Sequence, residues 1–491
     1  MNAEEARRAA AGVLLPGFGG TALPEALAAH LRAGLAGVVL FGANVRDPQQ
    51  VRALTDAIRA ARPEAVVAID EEGGDVTRLH QREGSPEPGN AVLGRLDDEA
   101  LTAASAHAIG LELIAAGCTL DLAPTADANV NPDNPVIGAR SFGADAALVA
   151  RHTAAAVHGL QAAGVAACAK HFPGHGDTAV DSHLGLPVID LDLEALRQRE
   201  LLPFVAAIEA GVAVVMTSHI VLPRLDPDQP ATMSRRILTG LLREELGFGG
   251  VVVSDALDMA GASGEIGIPA AAVRSLAAGA DLLCLGTDSE PYLDDVLDAV
   301  VAAVAAGELP EARLREAADR VRGLADRTGT AEVFPRPDVR IADAFDVQPE
   351  AAAALRSTEG WTVVTLDAEP NIAVGAGSWG PAAAAAADPA GPGAFRFSSW
   401  PAVALPVDRA APVPAIDGPV LVLGRDVHRR PHARAAVDAL RSGGRTVVAV
   451  DMGWPAEDRR YADVATFGAS RAVGAALLAL LTGTEEPSWR S

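Results

Sequence analysis

The sequence predicts an α/β protein, a (β/α)8 TIM-type barrel followed by a smaller α/β sandwich domain. Eight short apolar runs recur through roughly the first two thirds of the chain, and helical patterns separate them. A second series of apolar runs lies among Ala-rich and Gly/Pro-rich segments after residue 347. The chain has 491 residues, of which 49% are hydrophobic, so it can bury more than one core. We therefore predict a barrel domain over 1–335 and a C-terminal domain, with its linker, over 336–491.

The eight apolar runs do not alternate with polar residues, which is typical of parallel strands covered on both faces. They lie at 12–16, 37–41, 65–70, 119–124, 165–171, 212–219, 250–255 and 280–285. Helical patterns lie at 50–61, 144–163, 193–210, 235–246 and 291–306. Eight strand–helix units in this length fit a TIM-type barrel.

The C-terminal region has further apolar runs at 362–366, 419–424 and 446–451. A strongly helical segment follows at 469–481, and the polyalanine stretch 382–387 is predicted to be a helix or a linker. This order indicates a small α/β sandwich with a partly parallel sheet.

The formal net charge of −24 disfavours nucleic acid and anionic membranes as partners. No run is long enough to span a membrane, and the apolar stretch near the N-terminus is too short for a signal peptide. Cys118, Cys168 and Cys284 are far apart in apolar surroundings, which favours small buried thiols in a reducing compartment. We expect a cytoplasmic protein with no obligate protein partner.

Residues 170–183 read KHFPGHGDTAVDSH, a polar segment that directly follows the fifth predicted strand. Its density of titratable groups predicts a functional loop. Asp181 lies two residues before His183, so its carboxylate can orient the imidazole and stabilise its charged form. The histidine would then act as a general acid and base. The alternative is a turn in which Asp181 caps main-chain amides.

Active-site residues of a TIM-type barrel lie where its strands end. In this chain those ends carry a set of polar residues: Asp70, Arg140, Lys170, His171, His219 and Asp255. Asp255 directly follows the seventh run and could attack an electrophilic carbon. The equally weighted alternative is a carboxylate that caps the next helix, a role that suits Asp258 better.

The other strand-end residues are suited to binding hydroxyl groups. Asp70 can accept hydrogen bonds from a sugar, and the glycines that follow it let the main chain approach a ligand. Arg140 offers a forked set of donors, and Lys170 and His171 add more. Glu71 and Glu72 are expected to be solvated neighbours.

A metal site is a weaker alternative. His171, His175, Asp177, Asp181 and His183 are all possible ligands. However, the first strand lacks the His-x-His pair that is typical of metal-dependent hydrolases with this barrel. We therefore predict neither a metal nor another cofactor.

The chain resembles glycoside hydrolase family 3, in particular its bacterial β-N-acetylglucosaminidases. The segments that carry the resemblance are DEEGG at 70–74, NPDNPVIGARSFG at 131–143, KHFPGHGDT at 170–178, DSH at 181–183, MTSH at 216–219 and GFGGVVVSD at 247–255. The resemblance implies that Asp255 is the nucleophile, His183 the general acid/base and Asp181 its orienting partner. It assigns a further set to substrate binding: Asp70, Arg140, Lys170, His171, Arg78 and His219.

The activity implied by the resemblance is release of terminal N-acetylglucosamine from β-linked glycosides such as cell-wall fragments. It proceeds with retention, through a glycosyl-enzyme intermediate. A histidine acid/base points to N-acetylglucosaminides rather than glucosides. The alternatives are a phosphorylase that releases N-acetylglucosamine 1-phosphate and a β-glucosidase of the same family. A catalytically inactive sugar-binding protein is disfavoured because both Asp255 and His183 are present.

The chain departs from the family pattern at Glu71 and Asp75, and the resemblance of its C-terminal region is less specific. Gly174 and Gly176 are expected to let the loop of the dyad close over the sugar.

Overall fold

The structure of the protein is a computed structural model. It describes residues 1–178, 185–264, 266–326, 329–358, 360–366, 374–375, 377–405, 414–487 and 489. The chain divides into two units. The first comprises Met1–Glu72, Glu99–Val130 and Ala144–Pro335, and the second comprises Gly73–Asp98, Asn131–Gly143 and Arg336–Ser491. The sequence alone assigns the two short segments of the second unit to the barrel domain, whereas their contacts group them with the C-terminal residues.

Each of the eight apolar runs in the first unit contains a strand. The strands are β1 Leu14–Leu15, β2 Gly37–Leu40, β3 Val66–Ile69, β4 Leu120–Asp121, β5 Ala166–Phe172, β6 Val214–Thr217, β7 Val251–Val253 and β8 Leu283–Cys284. Strands β2 to β7 pair in chain order and in parallel, and β1 pairs in parallel with β8. A parallel bridge between Val253 and Leu282 joins the region of β7 to that of β8. This is a curled parallel sheet, consistent with a TIM-type barrel.

An apolar cluster in the interior of the first unit includes residues from each of β1 to β8. It includes Leu15, Val39, Ala68, Leu120, Cys168, Met216, Val253 and Cys284. Residues two apart on a strand, such as Val214 and Met216, enter the same cluster because side chains two apart share a face. The strand ends that carry the predicted site are therefore anchored in a common core.

Helices occupy the intervals between the strands. They are α1 Ala3–Ala11, α2 Glu25–Arg32, α3 Pro48–Ala61, α4 Asn90–Leu96, α5 Glu99–Ala116, α6 Ala146–Ala163, α7 Leu193–Gln198, α8 Leu202–Glu209, α9 Ala260–Ser263, α10 Ile268–Ala278, α11 Leu293–Ala306, α12 Glu311–Arg322, α13 Pro349–Ser357, α14 Gly380–Ala387, α15 Ala394–Ser398, α16 Pro431–Ser442 and α17 Arg471–Thr482. A π-helix spans Arg236–Glu245. Within the described part of the chain, no helix has both the length and the apolar content to cross a bilayer.

Local sequence explains where several helices begin and end. Asp47 and Asp145 cap α3 and α6 by accepting main-chain N–H bonds, and Gly164 ends α6 in the left-handed conformation. The prediction of one helix over 193–210 is wrong, because the structure has α7 and α8 there. Pro203 lies in the first turn of α8, where its missing N–H costs nothing. Inside a continuous helix the same residue would remove a hydrogen bond.

The second unit contains a six-stranded sheet among its described residues. Its strands are β9 Asp346–Val347, β10 Thr362–Leu366, β11 Ala402–Leu405, β12 Val420–Gly424, β13 Val447–Asp451 and β14 Val464–Ala465. Their order is β11-β10-β12-β13-β14-β9, and only the pairing of β9 with β14 is antiparallel.

Both faces of this second sheet are covered. Leu421 and Leu423 pack in a cluster that includes Leu477 of α17, whereas Val420 and Val422 pack in another that includes Val437 of α16. The alternation explains why the strands read as continuous apolar runs. The polyalanine stretch is helix α14, so the helical alternative was the correct one.

Candidate active site

The structure describes most of the predicted site residues, and they fall in both units. Asp70, Lys170, His171, His219 and Asp255 belong to the first unit, and Arg78 and Arg140 belong to the second. Asp181 and His183 lie outside the described residues, so their roles stay predictions from the sequence.

Lys170 lies between two carboxylates near the end of β5. Its Nζ is 2.7 Å from Asp70 Oδ1 and 2.7 Å from Glu72 Oε1, and its side chain is only 2% exposed. The expectation that Glu71 and Glu72 are solvated is wrong, because both are buried. A buried ammonium requires such compensation. Carboxylate oxygens accept hydrogen bonds from hydroxyl groups, which is the role that the sequence predicts for Asp70.

Asp127 organises the loop that begins at Lys170, and the sequence analysis missed it. Its Oδ2 accepts a hydrogen bond from His171 Nδ1 at 2.7 Å. Its Oδ1 accepts the main-chain N–H groups of His171, at 3.2 Å, and His175, at 2.7 Å. Asp127 follows β4, so the rule that identified the other strand-end residues could have found it.

His175 is the uncharged member of this loop. Burial, together with the neighbouring His171, lowers the pKa of His175 to about 4. Its Nδ1 is hydrogen-bonded to Thr178 Oγ1 at 2.7 Å. The ring therefore stays neutral near pH 7 and supports the loop instead of serving as a proton donor.

Asp255 lies on a turn that main-chain hydrogen bonds hold in place. Its N–H donates to the carbonyl of Thr217 in β6, and the N–H of Ser254 donates to Leu282. The Asp255 carboxylate accepts the N–H of Ala256 at 2.8 Å. The next helix, α9, begins after Met259 without a side-chain cap, so the helix-capping alternative for Asp255 and Asp258 lacks support.

His219 is buried behind the same turn. Its Nε2 donates to the carbonyl of Ala256 at 3.0 Å, because a carbonyl can only accept, and its Nδ1 is 3.0 Å from Thr232 Oγ1. These contacts suit a residue that positions the turn of Asp255. Direct contact between His219 and the sugar stays a prediction.

The two predicted arginines of the second unit are also buried. Arg140 donates from Nη1 to the carbonyl of Val136 at 3.2 Å, and Arg78 donates from Nη1 to the carbonyl of Val374 at 3.3 Å. A guanidinium can donate several hydrogen bonds in one plane, which is the donor chemistry that the sequence assigns to these two arginines. Their assignment to the sugar stays a prediction.

Gly174 and Gly176 are needed for close packing. A Cβ on Gly176 would lie 1.7 Å from the carbonyl oxygen of Ala128. Gly174 has a φ of 127°, and a Cβ there would meet the side chain of Glu200 at 2.6 Å. The positions therefore exclude larger residues, whatever the loop does when a sugar binds.

Glu200 lies beneath this loop and is linked to it through Arg199. Arg199 Nε donates to Glu200 Oε1 at 2.8 Å, and its Nη2 donates to Asp177 Oδ2 at 2.6 Å. Burial raises the pKa of Glu200 to about 7, even though Arg199 acts in the opposite direction. The carboxyl is therefore half-protonated near neutral pH, at the base of a loop that carries predicted catalytic residues.

The substitution Glu200→Gln is expected to remove a pH-dependent loss of stability. The pKa of Glu200 in the folded state is raised from 4.5 to about 7. Its contribution to the free energy of unfolding is therefore fully present below about pH 4.5 and is lost as the pH rises through about 7. Relative to Glu200→Gln, the wild type should lose about 3 kcal/mol between pH 4 and pH 8, at about 1.4 kcal/mol per pKa unit. Urea unfolding at several pH values measures this difference.

The matched control is Glu194→Gln, because Glu194 is an exposed carboxylate on the preceding helix α7. Its free energy of unfolding should follow that of the wild type at every pH. A constant offset between wild type and Glu200→Gln over this pH range would contradict the raised pKa.

The sequence of the chain matches a known protein family and several of its members. The family model described as "Glycosyl hydrolase family 3 N terminal domain" matches residues 22–324. A beta-hexosaminidase from Chromobacterium violaceum is 36% identical over 342 residues, which cover 68% of this chain and 93% of the relative. Beta-hexosaminidase A from Pseudoalteromonas piscicida is 40% identical over 53% of this chain, and the match spans only 48% of that longer protein.

A solved structure resembles the chain over nearly its whole length. It is a glycoside hydrolase family 3 beta-N-acetylglucosaminidase from Paenibacillus sp. strain FPU-7, with a TM-score of 0.82 and 29% sequence identity. The match covers 97% of this chain and 96% of that one. Together with the family model, these likenesses show that the chain belongs to glycosyl hydrolase family 3 and is a glycoside hydrolase.

Proposed function

We propose that the protein is a retaining exo-β-N-acetylglucosaminidase that releases terminal N-acetylglucosamine from β-linked glycosides. The observation that carries the proposal is the arrangement of Asp255 and the Lys170 cluster at the strand ends of the first unit. Relatives named beta-hexosaminidases and the Paenibacillus enzyme support the choice of sugar. The Asp181–His183 pair in the sequence supports the same choice.

In the proposed mechanism Asp255 attacks the anomeric carbon while His183 protonates the leaving oxygen. The glycosyl–Asp255 ester is then opened by a water molecule from which His183 removes a proton. Asp70, Lys170, His171, Arg78 and Arg140 bind the hydroxyl groups of the sugar. Asp127 accepts a hydrogen bond from Nδ1 of His171 and so orients the ring for contact with the sugar.

We also propose that the chain consists of two domains. Residues 1–335 contain a closed (β/α)8 barrel, and residues 336–491 contain an α/β sandwich. The pairing of β1 with β8 and the apolar cluster shared by all eight strands support closure.

We also propose that the protein acts in the cytoplasm on cell-wall fragments. Its three cysteines are buried free thiols, which fits a reducing compartment.

The proposed activity is tested with 4-nitrophenyl β-N-acetylglucosaminide and the matched β-glucoside, each with and without inorganic phosphate. We expect a preference for the N-acetyl substrate of at least about tenfold, which corresponds to roughly 1.4 kcal/mol of transition-state binding. The product should be the free sugar, released first as its β-anomer, as nuclear magnetic resonance of early time points would record.

Other outcomes assign the protein differently. N-acetylglucosamine 1-phosphate as the main product would make it a phosphorylase, and preference for the glucoside would make it a β-glucosidase. Release of the α-anomer first would contradict retention. Loss of activity on treatment with a chelator, restored by a metal, would contradict the metal-free mechanism.

A further inference from the structure

Glu200 is a buried carboxyl group that no step of the proposed mechanism uses. It lies between α7 and α8, and its side chain is fully buried. Arg199 contacts one of its oxygens, Oε1, through Nε at 2.8 Å and through Nη2 at 2.7 Å. The other oxygen, Oε2, has no hydrogen-bond partner among the residues that the structure describes. A buried polar atom in this state requires an explanation, which the ion pair with Arg199 does not supply.

The Oε2 atom lies against the glycine-rich loop 173–178. A Cβ on Gly174 would lie 2.6 Å from Oε2 and 2.8 Å from the Cβ of Glu200. The Glu200 side chain therefore packs directly on the main chain of Gly174. Any change in the size or the solvation of the carboxyl group acts first on this part of the loop.

Gly174 is in turn connected to a residue that is predicted to bind the sugar. Its N–H donates to the carbonyl of His171 at 2.8 Å. The main-chain N–H and the Nδ1 of His171 are both bonded to Asp127, and the same carboxylate accepts the N–H of His175. All of these residues belong to the first unit. A shift of Gly174 would therefore be transmitted to His171 through one short chain of hydrogen bonds.

The charges around Glu200 favour its neutral form. The titratable groups on the elements packed around it are Arg199 on its own segment, His171, His175 and Asp177 on the loop, and Asp127 after β4. Arg199 is shared, because its Nη2 also donates to Asp177 at 2.6 Å. Burial raises the pKa of Glu200 to about 7, and Asp127 and Asp177 act in the same direction. Loss of the proton would therefore add a buried negative charge that one shared guanidinium does not balance.

We propose that Glu200 is a positioning residue for sugar binding, whose neutral carboxyl group supports Gly174 and thereby holds His171 in place. When the proton is lost, a charged oxygen lies against Gly174, and the loop must shift to solvate it. The protein therefore binds N-acetylglucosamine more weakly above neutral pH. The inference rests on the proposed function, because that function assigns His171 to the sugar.

The test compares sugar binding by the wild type and by Glu200→Gln as a function of pH. Isothermal titration calorimetry gives the Kd of N-acetylglucosamine between pH 5.5 and pH 8.5. Glutamine has nearly the same shape and stays neutral, and the other titrating groups are common to both proteins. The ratio of the wild-type Kd to the variant Kd therefore reports on Glu200. We expect it to be near one at pH 5.5 and to rise about fivefold by pH 8.5, with a midpoint slightly above pH 7.

Linked protonation gives a second measurement that a purely structural role would not change. If the sugar binds the neutral form more tightly, binding must raise the pKa of Glu200. With fivefold coupling, the wild type should take up about 0.4 of a proton more than Glu200→Gln on binding at pH 7.5. The uptake is measured from the dependence of the binding enthalpy on the ionisation enthalpy of the buffer.

Two further variants make the result specific. Glu194→Gln removes an exposed carboxylate on α7 and should follow the wild type at every pH. Glu200→Asp keeps an acid but is shorter by one methylene group, so it withdraws from Gly174. We expect it to bind the sugar about fivefold more weakly than the wild type already at pH 5.5, since the support is lost in both protonation states. Circular dichroism at each pH establishes that the variants are folded.

The possible outcomes separate this inference from the proposed function. A Kd ratio that is constant over the pH range, or equal proton uptake by the wild type and Glu200→Gln, overturns the inference. Wild-type affinity of Glu200→Asp at pH 5.5 also overturns it, and this comparison decides alone if Glu200→Gln does not fold. If no protein binds N-acetylglucosamine or hydrolyses its 4-nitrophenyl glycoside, the proposed function itself is contradicted, and the inference falls with it.

Discussion

Replacement of Asp255 by alanine is expected to lower turnover of all glycoside substrates by at least about 10³-fold while leaving the protein folded. The carboxylate is the proposed nucleophile, and alanine offers no atom that can form the glycosyl ester. The turn itself should persist, because it is held by main-chain bonds to Thr217 and Leu282 and by the bond from His219 to Ala256.

Chemical rescue makes this prediction specific for a nucleophile. With a dinitrophenyl substrate, azide should restore turnover of Asp255→Ala and give the α-glycosyl azide, since azide would attack from the side that Asp255 occupied. Asp258→Asn is the matched control, because Asp258 is an exposed carboxylate three residues along the same segment, and it should stay within about threefold of wild type. Activity of Asp255→Ala within tenfold of the wild type would remove Asp255 as the nucleophile.

The strands of the first unit could be predicted because local sequence determines them. A strand buried on both faces must be apolar throughout, and a run such as 250–255 ends at the first residue that carries chemistry. Strand β7 and the turn of Asp255 therefore lie where the sequence places them. The break between α7 and α8 was missed because the helical pattern continues through Pro203.

The sequence did not predict which residues belong to which unit, because this division depends on contacts between residues far apart in the chain. Asp75 belongs to the second unit, and its carboxylate accepts a hydrogen bond from Ala469, nearly four hundred residues later. Neither residue has a local pattern that indicates the other. The same holds for a pocket of the second unit that is lined by both Arg140 and Arg425, which lie in segments far apart in the chain.

Within the site, the residues predicted to bind the sugar were easier to identify from the sequence than the residues that hold those side chains in place. Lys170 and Asp70 end predicted strands, so their chemistry is visible in the sequence. Glu72, Asp127 and Glu200 act on other side chains, and their importance follows from burial and hydrogen bonds that only the folded chain supplies. A carboxylate next to a strand end is therefore worth including in a candidate set even when it has no evident substrate to bind.

Replacement of His183 by alanine is expected to have a large effect that depends on the leaving group. With a sugar as leaving group the alkoxide must be protonated as it departs, so kcat/KM should fall by about 10³-fold. With dinitrophenolate no proton is needed, so the first step should slow far less. The second step still lacks its base, so the glycosyl–Asp255 ester should accumulate and give a burst of dinitrophenolate.

The stereochemistry of azide rescue then separates the two predicted catalytic residues. In His183→Ala, azide should attack the accumulated ester from the opposite face and give the β-glycosyl azide, whereas Asp255→Ala should give the α-anomer. His158→Ala, which removes an exposed histidine paired with Glu332, should behave as the wild type. Equal losses of His183→Ala on both leaving groups, with no burst and no β-azide, would mean that His183 orients the substrate. The proton would then have to be transferred by another group, and Asp181 would be the next carboxylate to test.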